Sequence, residues 1–155
     1  MKQDRSLWDK DLIQQGVSLV TEALSEGPLG AYQLQAAIAA VHDEAEGADE
    51  TDLPQVLALY ETLDQVALNP MATLNRAVAL AMVQGPTAGL ALLAMLDDDD
   101  RVSDHHLMFA VRGHLSDMGR LTEAASDAFR SAARRTASLP EKRYLEMRAC
   151  QVLRA

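Results

Sequence analysis

The stretch PMATLNRAVALAMVQGPTAGLALLAML, residues 70–96, decides the fold. Asn69-Pro70 closes the preceding helix and opens this one, since proline is tolerated in the first helical turn. Apolar residues then continue at helical spacing to Gln84, where Gly85-Pro86 breaks the run. A second helix follows from Thr87 to Leu96 and carries Leu90, Leu92, Leu93 and Met95. Two helices joined by so short a turn form an antiparallel hairpin.

The pattern extends in both directions from this hairpin. Gly119 stands 34 residues after Gly85, and each glycine closes one helix and opens another, which is the spacing of a tetratricopeptide (TPR) repeat. At that offset Leu74 aligns with Met108, Ala77 with Val111, Leu90 with Ala124 and Met95 with Phe129, so core positions are expected to match core positions. Phe129 falls one residue later after Ala124 than the usual spacing, and Gly47 is off the period.

Upstream, Leu12, Ile13, Val20, Ala23 and Leu24 predict a first helix that stops at Gly27-Pro28. Leu34, Ala37, Ile38 and Val41 predict a second after Gly30, and Asp52 is placed to cap a third that carries Val56, Leu57, Leu59, Tyr60 and Leu63. Downstream, Asp104 is expected to cap a sixth helix, a seventh runs from Leu121 to Thr136, and an eighth follows Pro140. The expectation is an all-α, TPR-like stack of about eight helices, wound as a right-handed superhelix within one domain, 1–155. Hairpins occupy 30–66, 70–96 and 104–136, with capping helices over 9–26 and 140–153.

Composition narrows the function. The chain is 48% hydrophobic but only 4% aromatic, which favours close packing of Ala- and Leu-rich helices over a sheet. The formal net charge of −9 argues against direct contact with nucleic acid. That charge is uneven: residues 1–100 hold 4 Lys/Arg against 17 Asp/Glu, and 101–155 hold 10 against 6. One cysteine and no apolar leader predict a cytoplasmic protein, and the apolar run from Leu74 to Val83, broken by Asn75 and Arg76, is too short for a membrane span.

Several segments together resemble the C-terminal half of bacterial extracytoplasmic-function sigma factors that carry a long TPR-like extension. They are DRSLWDKDLIQQGVSLVTEAL from Asp4, GPLGAYQLQAAIAAVHDEA from Gly27, TDLPQVLALYETL from Thr51, NPMATLNRAVALAMVQGP from Asn69, and AGLALL from Ala88. The resemblance covers nearly the whole chain and is weakest at Asp97 to Asp100 and before Phe129. It implies a regulatory or partner-binding role in transcription initiation, with RNA polymerase, the sigma domains or a regulatory protein as partner. Promoter reading belongs to sigma domains expected upstream, and Met1-Lys2 before the DRSLW segment reads as a boundary set just after them.

Five residues are candidates for partner binding. Arg76 and Asn75 interrupt an apolar helix, where a charge needs a partner or solvent, so Arg76 either faces an acidic partner segment or pairs with a carboxylate such as Glu61 or Asp64. Tyr32, Gln35 and His42 share the second helix, the last two on one face two turns apart. Trp8 is expected to pack against its neighbour helix.

His105, His106 and His114 lack the i, i+4 spacing of a helical zinc motif, and the four aspartates lack the alternation of a calcium loop, so no metal or cofactor is expected. The aspartates read as a solvated linker and Cys150 as a small core residue. No phosphate loop or nucleophile elbow is present, which argues against an enzyme. A free-standing peptide-binding adaptor is the competing reading. A small-molecule sensor using Tyr32, Gln35, His42 and Arg76 is a third.

Overall fold

A computed structural model describes residues 5–154, apart from the side chain of Ser6; Met1, Lys2 and Asp4, where the resembling segment opens, lie outside the described residues. Among the described residues the fold is all-helical, with eight α-helices and no strand. They are α1 (Lys10–Ser25), α2 (Ala31–Glu44), α3 (Leu53–Val66), α4 (Pro70–Gln84), α5 (Pro86–Ala94), α6 (His106–Met118), α7 (Thr122–Arg135) and α8 (Leu139–Gln151). They pack as two compact units that divide between Leu68 and Asn69. In each unit consecutive helices pack on one another, as in a stack of hairpins, and in the second α4 also touches α6.

In the first unit, Leu34, Ala37 and Ile38 of α2 are buried, together with Val56, Leu57 and Leu63 of α3. Asp52 caps α3 by accepting a hydrogen bond from the Gln55 amide at 3.0 Å. Gln33 ties α1 to α2: its Oε1 accepts from the Gly30 amide at 2.6 Å, and its Nε2 donates to the Ala23 carbonyl at 2.7 Å. Helix α1 buries no residue fully. Leu12, which the periodicity places in the core stripe, is 63% exposed. The stripe facing α2 is centred on Ile13, Val17, Val20 and Leu24, and Leu12 lies about 100° around the helix from Ile13.

The second unit is built on small residues. Asn69 accepts from the Met71 amide to cap α4, and Gly85 ends it with φ +96°, a conformation that suits glycine. A Cβ on Gly89 of α5 would lie 2.6 Å from both the Ala77 carbonyl oxygen and the Ala81 Cβ. A Cβ on Gly113 of α6 would likewise sit 2.7 Å from the Phe129 ring. One core gathers Leu74, Ala77, Leu93, Val102, Met108 and Leu115; another gathers Ala125, Phe129, Ala132, Leu145, Ala149 and Val152.

The repeat holds in one half of the hairpin only. Leu74 and Met108 are both buried at the 34-residue offset, as are Ala81 and Leu115. Ala124 and Met95 are instead exposed, Met95 by 77%, while Leu90 and Phe129, their expected partners, are at least partly buried. The buried positions of α5 and α7 match at 36: Gly89 with Ala125, Leu93 with Phe129, Leu96 with Ala132. The cause is the turn. Gly85 alone separates α4 from α5, whereas Gly119, Arg120 and Leu121 separate α6 from α7.

Two further expectations change, and a third holds. Asp104 does not cap α6; its carboxylate accepts from Arg135 Nε at 2.7 Å, and His105 takes the cap, its Nδ1 accepting from the Leu107 amide at 3.3 Å. Residues 97–100 are the solvated connection expected, a series of turns between buried Leu96 and Val102 in which Asp97, Asp98 and Asp100 are exposed, with Asp97 paired to Arg112 and Asp99 to Arg101. Cys150 is exposed, because α8 buries Leu145 and Ala149 and the residue after Ala149 turns away from that face.

The turn after α6 is a Schellman-type cap. The Leu121 amide donates to the Ser116 carbonyl at 2.8 Å, and the left-handed position belongs to Arg120, φ +57°. Arg120→Gly is therefore expected to stabilise the fold by about 1 kcal/mol, the cost of a left-handed non-glycine residue, as read by urea unfolding. Gly89→Ala should lower stability by roughly 1–3 kcal/mol through overpacking, only partly offset by a helix-propensity gain of about 1 kcal/mol. Gly16→Ala, where nothing lies within 4 Å, should show that gain alone.

Candidate functional site

The α1–α2 pair leaves a cleft of about 470 Å³ at the end of α2. It begins with a capping device. Arg5, on a 3₁₀ turn spanning Arg5–Leu7, donates from one Nη to the His42 carbonyl at 2.6 Å and the Ala45 carbonyl at 2.7 Å. A guanidinium at a helix C-terminus satisfies carbonyls that lack intrahelical donors and complements the helix dipole. The same guanidinium lies 5.0 Å from the centre of the Trp8 ring, so Arg5 orients the indole against the cleft. Trp8 is thus half-buried beside its neighbour helix, in keeping with the expectation from its position before α1.

Trp8, Ile13 and Val17 supply the apolar part of the lining, and Asp43, Glu44 and Glu46 bring carboxylates to it, with Lys10 and Gln14 on the α1 side. The first unit around it is strongly acidic, with 3 Lys/Arg against 13 Asp/Glu over residues 1–68. Such a lining accommodates an apolar stem and favours a cationic head beside it. The sequence signal for it was the Trp8 that precedes α1 and the acidic residues at the C-terminal end of α2. What hid it is that residues 5–8 and 43–46 meet only through the α1–α2 turn and the Arg5 contacts.

The five candidate binding residues divide between the units. Tyr32 and Gln35 lie exposed one turn apart on α2; His42, two turns beyond Gln35, is half-buried, and its carbonyl receives Arg5. Asn75 is exposed on α4 and Arg76 is half-buried and engaged in interactions of its own. Of the five, only His42 borders the cleft region, and it does so through its backbone.

The histidines of the second unit have structural partners. His105 caps α6, its ring centre 4.5 Å from that of His106, and His106 Nε2 lies 3.4 Å from Glu141. Among the described residues no group of three His, Cys, Asp or Glu is disposed to hold a metal ion. The Ser126 hydroxyl is buried and donates to the Ala149 carbonyl at 2.9 Å.

At the α6–α8 contact, Arg148 donates to Asp117 at 2.7 Å and stacks 5.2 Å from the Phe129 ring centre. Burial, and then the charge of Arg148, hold the His114 imidazole below its ordinary pKa, with Asp117 opposing them.

No protein-family profile matches the chain, and no solved structure matches it. It is similar to the uncharacterized protein R00370 of Rhizobium meliloti (strain 1021), with 36% identity over 146 residues that cover 94% of this chain and 34% of that protein. The chain therefore spans about a third of the length of this curated relative.

Two predictions follow from these contacts. Because His114 is harder to protonate when folded, its contribution is intact above the free-imidazole value of about 6.5 and is lost as pH falls below that toward the lower folded value. His114→Gln should flatten that part of the pH dependence of the unfolding midpoint, and NMR titration should place the His114 midpoint below that of a free imidazole. Arg5→Ala should cost roughly 1–2 kcal/mol by leaving two α2 carbonyls without their donor, read as loss of helicity on heating.

Proposed function

We propose that this chain is the C-terminal regulatory and protein-interaction part of an extracytoplasmic-function sigma factor. It acts in the cytoplasm, in transcription initiation, through contacts with sigma domains, RNA polymerase or a dedicated regulator. The observation that carries the reading is the α1–α2 cleft: a recess of mixed polarity lined by a tryptophan and three acidic residues, on a unit of strongly acidic composition, suits a basic partner segment. Tyr32 and Gln35 on α2, with Asn75 and Arg76 on α4, offer further polar contact positions.

The segments that resemble the sigma-factor extension support the transcriptional assignment. In the longer relative the corresponding segment is one part of a larger polypeptide, as a C-terminal extension would be. An acidic module is suited to docking on protein and leaves promoter DNA to other domains. As a second reading, the cleft volume falls in the range of small-ligand sites, which favours a sensing role for the same recess.

The test is binding of the immobilised chain to purified core RNA polymerase and, separately, to the sigma domains of a polypeptide that carries this segment. Saturable binding to one of them is expected, weakened at least tenfold by the pair Glu44→Lys and Glu46→Lys and relieved by salt. No binding to either up to roughly 100 µM, a ΔG of about −5.5 kcal/mol, would contradict the proposal. A rise in melting temperature with a metabolite, abolished by Trp8→Ala, would move the assignment to the sensing role.

A further inference from the structure

Two helices carry uncovered faces of opposite character, and the geometry points to a head-to-tail contact between copies of this chain, the α1 face of one copy receiving the α8 face of the next. On α1 and its C-cap, Leu12, Gln15, Leu19, Glu22 and Glu26 recur at helical spacing and are all exposed, Leu19 by 66%. Gly16 lies beside Leu12 and Leu19 with nothing within 4 Å of its Cβ position, so another helix can approach the backbone there.

On α8 and the turn after it, Arg143, Met147, Cys150 and Arg154 form a second exposed stripe, with Tyr144 and Glu146 beside it, so the stripe carries two arginines against one carboxylate. Glu22, Glu26, Arg143 and Arg154 form no ion pair among the described residues.

Charge complementarity selects the occupant. The α1 stripe is apolar at its start and anionic at its end, and belongs to the unit with 13 Asp/Glu. The α8 stripe has sulfur-bearing side chains flanked by arginines, in a region, residues 120–155, that holds 8 Lys/Arg against 4 Asp/Glu. Like faces repel, α1 against α1 and α8 against α8, while unlike faces attract, so the contact pairs an α1 face with an α8 face. A single pair of helix faces buries little area, which places the association in the weak, transient class. None of its residues lines the cleft, so it stands apart from the function proposed above.

Sedimentation velocity on the full chain, from roughly 10 µM to roughly 1 mM, tests it in the range where small interfaces are populated. The weight-average sedimentation coefficient is expected to climb with concentration and to fall back in high salt, and maleimide labelling of Cys150 should slow as the coefficient climbs.

The pair Arg143→Glu and Arg154→Glu should give a monomer, as should the pair Glu22→Lys and Glu26→Lys. An equimolar mixture of the two variants should associate again, since one then carries two acidic faces and the other two basic ones. These positions are exposed, and unchanged helicity by circular dichroism confirms that each variant is folded. A wild-type chain that stays monomeric throughout overturns the inference, as does association indifferent to both charge reversals or a mixture that fails to restore it.

Discussion

The close approach of α5 to α4 in the second unit is set by Gly89, whose missing side chain lets α5 rest against the backbone of α4 at Ala77 and the methyl of Ala81. Much else there depends on that contact. With the α4–α5 interface so thin, Leu92, Leu93 and Leu96 reach a common core with Leu74, Met108 and Leu115, and α6 can touch both α4 and α5. Alanine-rich composition follows from the same requirement, because helices packed this closely have no room for aromatic rings. Phe129, a buried exception, is accommodated by a second glycine, Gly113.

The elements whose limits are set by local chemistry were legible in the sequence. Asp52 caps where its side chain predicts, α4 opens at Pro70 after the Asn69-Pro70 break and ends before Gly85-Pro86, and α6 stops before Gly119. What escaped depends on partners distant in sequence or on small rotations. Asp104 was drawn from its capping role by Arg135, 31 residues away, and the 34-residue period became 36 in α5 and α7 because the second turn is longer. Leu12 and Cys150 each sit one residue from a buried stripe, a step of about 100° that periodicity alone does not resolve.

The candidate site was less legible than the fold. Trp8 stood out by its type, but the cleft needs Arg5 to reach carbonyls at 42 and 45, and such side-chain-to-backbone contacts leave no pattern in a sequence. Tyr32, Gln35, Asn75 and Arg76 were singled out by polarity within apolar surroundings, a signal that finds exposed or bridging residues without telling what they meet. The functional argument therefore rests on shape and charge together: an acidic first unit whose α1 buries no residue fully, and a second unit in which α4 and α6 are closed into a core.

That contrast is the centre of the account, and amide hydrogen exchange reads it most directly. Helix α1 buries no residue fully, whereas α4 and α6 contribute Leu74, Ala77, Met108 and Leu115 to a closed core. Amides of α1 in the isolated chain at low concentration are predicted to exchange through local opening, orders of magnitude faster than those of α4 and α6. Protection of α1 equal to that of α4 and α6 would contradict the view that this helix presents an open face for partners.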